Sequence, residues 1–543
     1  MRISLKLLVL CLFSLASIAG VNLKNGNFYI TYTDIIVPGG GNDLVVERTY
    51  NSKSPGKGWF GYGWGSDYET FLVVSADGSV TVHENGSGAK TRFTPRQAVD
   101  AKAAAEKIVD VMRKKTSLST TVAKTLVTKL TNDAELRQAY AKKFNVSSNL
   151  AVGTELYSNV RGLQKVVKTA KGYIRKYNDG KENHFNKDGK LVQVKDKNGY
   201  VVNLDYTKEG SLKSIKDSMA KQIFFKWYPN GLVKSVESGA GKKTTYTYDT
   251  NYNLVDAKDI SGNNFKYDYD ANHNMTLITY KDGSSQKISY EKKTQFVKEL
   301  TKRSGEVIKY SYESNPKNPD FHYWTLVAKK SPTKKEVVNR YEYEIKKKPD
   351  GSHYTYRILT VINGLKTETI YTECCSLPKQ IKRGNHVTNF EYNKDGLLVK
   401  KASSRGDFVE LEYHKQFKKI TKVVNPRGWT EFDYDKKGNL KKANNSKGMS
   451  VVLLYDSKGR ISKMMDYNKK TKQKRALEFQ YNAQGKPVEI TMNKVGKINV
   501  KYDNYGEILK VESKAGHKMA LQVTQAFQSL LAIVKPAGVN LNM

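Results

Sequence analysis

The chain is 543 residues long and carries 92 Lys and Arg against 53 Asp and Glu, a formal net charge of +39. That length excludes a small stapled scaffold and allows roughly two to four domains or one long repeat array. With 38% hydrophobic residues, 40 Gly and only 12 Pro, the composition excludes a Pro/Gly-rich disordered chain and a membrane channel. The 35 Tyr outnumber the 18 Phe and 5 Trp together, which favours strands whose rings are buried while the hydroxyls find partners.

Residues 1–19 read as a signal peptide: Arg2 and Lys6 form a basic start, Leu7 to Ala16 an apolar core, and Ser17-Ile18-Ala19 a small-residue cleavage site. The mature chain is expected to begin at Gly20 with a charge of +37, once Arg2 and Lys6 are removed. Cys11 follows Leu10 inside the apolar core and is no lipidation site. No later stretch reaches the roughly 18 apolar residues of a spanning helix. The expected location is therefore periplasmic, cell-surface or extracellular. Cys374 and Cys375 are the remaining thiols; an oxidising compartment permits a vicinal disulfide, and two packed thiols are the alternative.

Residues 20–95 read as a β domain. Residues 96–150 change character: Val99, Ile108, Val111, Met112, Val122, Leu126, Leu130, Leu136, Tyr140 and Phe144 fall at helical spacings in Ala- and Lys-rich sequence. Two or three short amphipathic helices follow, either a docking arm or plug, or a small bundle that caps an open sheet edge.

From 151 to 515 the sequence repeats. Aromatics occur at Phe185, Tyr206, Trp227, Tyr248, Tyr269 and Tyr290, each 21 residues after the last, then at Tyr312. The series resumes at Tyr392, Tyr413, Tyr434 and Tyr455, jumps 26 residues to Tyr481, and returns to 21 at Tyr502. Typical units are Tyr-Asp-Lys-Lys-Gly-Asn-Leu at 434–440 and Tyr-Asp-Ser-Lys-Gly-Arg-Ile at 455–461. A second turn near mid-period, such as Asp196-Lys197-Asn198-Gly199, leaves one hairpin per unit. One hairpin cannot bury its own face, so the units are expected to pair edge to edge in a continuous curved or spiralling sheet with the aromatics on one face. Residues 516–543 are expected to hold an amphipathic helix ended before Pro536, followed by a tail.

These units resemble the YD repeats of the Rhs and teneurin-like family. Asn25-Gly26-Asn27-Phe28, Tyr32-Thr33-Asp34, Arg48-Thr49-Tyr50-Asn51-Ser52 and Phe60-Gly61-Tyr62-Gly63-Trp64 resemble, in order, that family's N-terminal domain. The resemblance implies a mainly β, spiralling shell that encloses a C-terminal toxin or presents adhesive surfaces. The sequence departs from the family in having no Asp-Pro-x-Gly-Leu core signature and no aspartyl self-cleavage motif, and only 41 residues follow Tyr502.

Motifs for chemistry are weak. The eight His are scattered singly, without a metal-binding motif. Asp268, Asp270, Asn272 and Asn274 mimic the start of a calcium loop, but His273 stands where Gly is needed and Thr279 where Glu is needed. Gly239-Ala240-Gly241-Lys242-Lys243 lacks the earlier Gly of a phosphate loop. No catalytic residue, cofactor or metal is assigned. Lys is spread along the repeats, as at Lys346-Lys347-Lys348, Lys400-Lys401, Lys436-Lys437, Lys441-Lys442 and Lys469-Lys470. Such a field protects strand edges and attracts polyanions, without sequence-specific nucleic-acid recognition. The sequence thus points to an exported, non-catalytic shell protein that binds or encloses a partner, drawn to anionic envelope glycan or another polyanion. The alternative is a carrier in a polymorphic toxin system without its own C-terminal toxin, holding a protein cargo.

Overall fold

The computed structural model describes residues 18–38, 43–54, 56–86, 88–96, 99–158, 163–333, 335–373, 376–483, 485–503 and 508–534. Most of the expected signal peptide, and both Cys374 and Cys375, lie outside them.

From Glu155 to Glu512 every strand pairs antiparallel with the next, giving a single meander of 33 strands in sequence order. The chain is mainly β, and the reason is local. In the turn after Tyr434, Asp435 Oδ1 accepts the amides of Lys437 and Asn439, each at 2.8 Å. Gly438, at φ +75°, donates its amide to the Asp435 carbonyl at 2.9 Å. A carboxylate that takes two turn amides, followed by a residue free to adopt positive φ, closes a hairpin within a few residues. Asp249, Asp270 and Asp456 close their turns in the same way, and Asp196 and Asp259 repeat it at mid-period.

Strand pairing slips by one residue at each of Phe185, Tyr206, Trp227, Tyr248, Tyr269 and Tyr290, and again at Tyr392, Tyr413, Tyr434, Tyr455, Tyr481 and Tyr502. A bulge bends its strand and increases the local twist, so a bulge in every unit curves the whole sheet. The curvature brings distant hairpin tips together: Asn178 Nδ2 donates to the Lys418 carbonyl at 3.4 Å and Lys197 Nζ to the Gly438 carbonyl at 3.2 Å. Between the two regular runs the strands lengthen, to 11 residues at Val337–Lys347 and 10 at His353–Ile362, which is why the period is lost there. It returns at Tyr371, 21 residues before Tyr392 and itself at a bulge, although no Gly follows it at the turn.

At the N-terminus β1 (Ile18–Asn22), β2 (Asn27–Val37) and β3 (Leu44–Asn51) form a small sheet with Trp64–Gly65. A three-stranded sheet follows over 71–93. Thr94 exchanges backbone hydrogen bonds with Tyr157, at 3.0 and 2.8 Å, and so covers the first strand of the long sheet.

Helices α1 (Ala101–Lys115), α2 (Thr120–Asn132) and α3 (Ala134–Phe144) begin at Asp100, Ser119 and Asp133, whose side chains accept first-turn amides. They pack on Ala76 and reach a remote hairpin tip. Arg137, 2% exposed, donates to the carbonyls of Leu130 at 2.7 Å and Asp350 at 3.1 Å. Asp77 binds both Arg92 at 2.7 Å and Arg137 at 3.4 Å. The bundle therefore ties the 71–93 sheet to the 348–351 turn. At the edge of the long sheet, Thr94 pairs with Tyr157 of the first strand.

Helix α4 (Gly516–Val534) lies on the strands between 440 and 502, burying Met519, Ala526 and Ile533. Arg475, paired with Asp466 at 2.5 Å, reaches up to Gln525 and Ser529 at 3.0 Å each.

Two outcomes follow. Tyr434, whose hydroxyl donates to the Ile420 carbonyl at 2.6 Å, has a half-buried ring. Tyr434→Phe should cost about 1 kcal/mol and Tyr434→Ala about 3 kcal/mol, read as lost hydrogen-exchange protection confined to the strands between 420 and 445. His83 stacks on Phe71 at 4.7 Å, and burial, with the charges of Lys90 and Lys142, pushes its imidazole down to about 4. The unfolded chain then takes up a proton near pH 6.5 that the folded chain refuses until about pH 4, so stability falls as pH drops through this window. Thermal melts of His83→Phe should lose that part of the acid sensitivity.

Candidate binding site

The repeat aromatics are fixed to the framework. The hydroxyl of Tyr206 donates to the Leu191 carbonyl at 2.7 Å, Trp227 Nε1 to Leu212 at 2.7 Å, Tyr248 to Val233 at 2.7 Å, Tyr269 to Leu254 at 2.9 Å and Tyr290 to Met275 at 3.0 Å. In the second run Tyr392 reaches Pro378 at 2.7 Å, Tyr413 Leu398 at 2.6 Å, Tyr455 Leu440 at 2.8 Å, Tyr481 Ile461 at 2.7 Å and Tyr502 Pro487 at 2.9 Å. Each acceptor opens the second strand of the preceding unit. Burial pushes the hydroxyls of Tyr392, Tyr413, Tyr434 and Tyr455 up to about 12, so they remain donors at any physiological pH. Phe185 has no hydroxyl and opens the series as a buried ring, 3% exposed.

The same bulges leave amides free for the N-terminal domain. Val233 donates to the Trp59 carbonyl at 2.9 Å, Met275 to the Tyr50 hydroxyl at 2.9 Å and Val297 to the Gly26 carbonyl at 3.0 Å. At the centre of this contact Arg48, fully buried, pairs with Asp34 at 2.8 Å and donates to the Tyr267 hydroxyl at 3.1 Å. Its guanidinium lies 4.6 Å from the rings of both Tyr32 and Trp64, and Asp34 also accepts from Tyr246 at 2.8 Å. Hydrogen bonds satisfy Nε and Nη2 of Arg48, and Nη1 has only the surrounding aromatic rings for company, so the pair is held by aromatic faces as well as by hydrogen bonds.

Two docking residues carried a signal in the sequence. Tyr252 and His273 stand at the turn position where other units have Gly, at φ 63° and 62°. Tyr62 stacks on His273 at 3.9 Å, and Tyr50 donates to the His273 carbonyl at 2.9 Å. The residues that resemble a calcium loop are thus an ordinary turn that seats the N-terminal domain. Asp270 spends Oδ1 on two turn amides and Oδ2 on Asn274 at 3.0 Å.

One face of the sheet is covered almost throughout. The N-terminal domain packs on it from Val202 to Val327, and α4 on it from Val409 to Met492. Between Glu344 and Phe408, Leu359 is the only buried apolar side chain among the described residues. This strip holds a cleft of about 630 Å³ lined by Tyr354, Tyr356, Tyr371, Phe390, Tyr392 and Lys379. Lys346 Nζ lies 3.5 Å from the centre of the Tyr356 ring, and Lys394 stands at the rim. Thr372, Glu373 and Leu377 also line the cleft.

Beside the strip, His322, Glu342 and Glu344 place ligand-type atoms within 4.8 Å of one another. Arg340 binds Glu342 at 2.9 Å and Arg357 binds Glu344, so guanidinium charge already balances the carboxylates. Burial would raise the Glu342 carboxyl, but hydrogen bonds from His322 and Arg340 hold it below its usual range. Many Lys on the polar face are also paired across strands, such as Lys400 with Glu410 at 2.9 Å and Lys422 with Glu431 at 3.0 Å.

Residues 19–93 match a domain of unknown function (DUF6531), and residues 428–541 match the teneurin YD-shell family. No curated protein gives a match. Among solved structures, TcdB2-TccC3 without its hypervariable C-terminal region is 10% identical, with a TM-score of 0.43 over 92% of this chain and 28% of that one. The Photorhabdus luminescens Tc holotoxin pore is 10% identical, with a TM-score of 0.39 over 89% of this chain and 29% of that one. The chain thus spans less than a third of the length of either. With the teneurin YD-shell match at its C-terminal end and the same hairpin unit running through one continuous sheet, the chain has the fold of a YD-repeat β shell.

Proposed function

We propose that this YD-repeat protein is an exported, non-catalytic scaffold of the cell envelope or surface, which binds an anionic partner on the strip of sheet that its own segments leave uncovered. The coverage of the sheet carries the reading. Two flanks are sealed by the N-terminal domain and by α4, while the intervening strip presents five aromatic rings around a cleft of about 630 Å³. An aromatic cleft with a few polar groups at its rim is a surface built to bind. The charge around it selects the partner: Lys346, Lys348, Lys379 and Lys394 border the strip on a chain of net charge +39, which favours an acidic polypeptide or an anionic envelope glycan. Export rests on the leader-like residues 1–19. A carrier for a separate toxin chain would use the same strip and differ in having a protein cargo that co-purifies with it.

Retention of the full chain on immobilised heparin and polyglutamate should fall smoothly with ionic strength. Lys346→Glu, Lys348→Glu and Lys379→Glu combined should weaken it more than Lys213→Glu, Lys216→Glu and Lys266→Glu on the polar face. Equal effects of the two triple variants would remove the strip from the reading, and retention insensitive to salt would remove the electrostatics.

A further inference from the structure

A second cavity, of about 810 Å³, opens where the sheet winds back on itself, and it is independent of the strip. One wall comes from hairpin tips. Lys419 Nζ donates to the Gly438 carbonyl at 2.8 Å and Lys197 Nζ donates to the same oxygen at 3.2 Å. Two ammonium groups are thereby drawn onto one uncharged acceptor. Neither lysine forms an ion pair among the described residues, while the charges of Asp179 and Asp435 act on Lys419 from farther off. Burial and the neighbouring Lys197 push the Lys419 ammonium down to about 8, as expected of two cations held together in a cleft.

The opposite wall, from the N-terminal domain, carries Glu47, Asp67 and Glu84. Here the crowding has the other sign: desolvation within the cleft, then the charge of Glu47, raise the Asp67 carboxyl above its usual range. Arg175 at 3.0 Å answers part of the charge of Glu84. The acids on the lysine side spend one oxygen each on turn amides, and the charge of Asp179 also acts on Lys419. Asp196 Oδ1 takes the amides of Asn198 and Tyr200, and Asp179 Oδ1 takes that of Lys181. The cavity thus brings the two ammonium groups and the carboxylates of the N-terminal domain to one space large enough for a small molecule, with Lys181 also acting on Asp67.

We propose that this cavity is a binding site for a small dipolar ligand of the amino-acid or short-peptide class, its carboxylate held between Lys197 and Lys419 and its ammonium turned toward Glu47 and Asp67. A simple anion satisfies only one wall, and a polyanion is repelled by the other. Such a ligand would also bridge the tips at 197, 419 and 438 to the N-terminal domain, across the seam of the winding sheet.

The unmodified full chain supplies the first test. Reductive methylation read residue by residue by mass spectrometry should modify Lys419 faster than exposed lysines near pH 8, the value to which its ammonium is pushed. Dialanine should protect Lys419 at concentrations where propionate, which has the carboxylate without the ammonium, and heparin do not. Isothermal titration with dialanine should show binding about tenfold weaker in Lys197→Gln and in Lys419→Gln. Glu47→Gln should narrow the preference for dialanine over propionate. Equal protection by propionate and dialanine, protection by heparin, or no protection by dialanine would each overturn the assignment. None of these results bears on the aromatic strip, whose partner is read by salt-dependent retention.

Discussion

The interaction on which the rest of this structure depends is the hydrogen bond from each repeat aromatic to the carbonyl that opens the second strand of the preceding hairpin. A sheet built only from strand pairing has no fixed curvature and tolerates register slips, because neighbouring polar side chains distinguish poorly between registers. The aromatic removes that freedom. Its ring fills the step left by a bulge while its hydroxyl, or the indole N–H of Trp227, reaches back over one strand, so each hairpin is indexed against the one before it. Even where the spacing jumps by 26 residues at Tyr481, the link survives: its hydroxyl reaches the Ile461 carbonyl at 2.7 Å, and the extra residues lengthen the hairpin instead of shifting it.

The bulge serves a second purpose. It takes one amide per unit out of the ladder, and a buried amide without a partner is costly. Over the first half of the sheet the N-terminal domain supplies the acceptors, at Trp59, Tyr50 and Gly26, so the geometry that curves the sheet also marks where that domain can dock. The spacing of those acceptors sets which face of the sheet is covered. The uncovered strip then begins where the long strands of 337–362 interrupt the bulged pattern and ends where α4 takes over.

Much of this was legible in the sequence, for a physical reason. The period, the Asp-x-x-Gly turns and the aromatic positions are local features, each specified within one 21-residue unit. Tyr371 escaped because its turn has Ser376 in the positive-φ position in place of Gly. What could not be read were contacts between distant units. Nothing near Arg48 announces that it will be enclosed by Tyr246 and Tyr267, some two hundred residues away. Nor does anything near Lys197 announce Lys419. The missing Gly at Tyr252 and His273 coincides with docking, but it is not specific to it, because Lys472 and Lys494 take positive φ in exposed turns as well.

Charge follows from the same architecture. A meander of 33 strands has long polar rows, and Lys alternating with Glu across strands keeps those rows soluble while the pairs hold their registers. Pairing consumes a similar number of each sign and leaves the excess of Lys over Glu untouched. That excess therefore cannot be an incidental product of strand pairing. Nor does it meet one uniform environment: some lysines pair across strands on the polar face, others border the aromatic strip, and Lys197 and Lys419 share the cavity at the seam with carboxylates. The winding of the sheet converts a nearly uniform lysine pattern in sequence into distinct electrostatic surfaces in space.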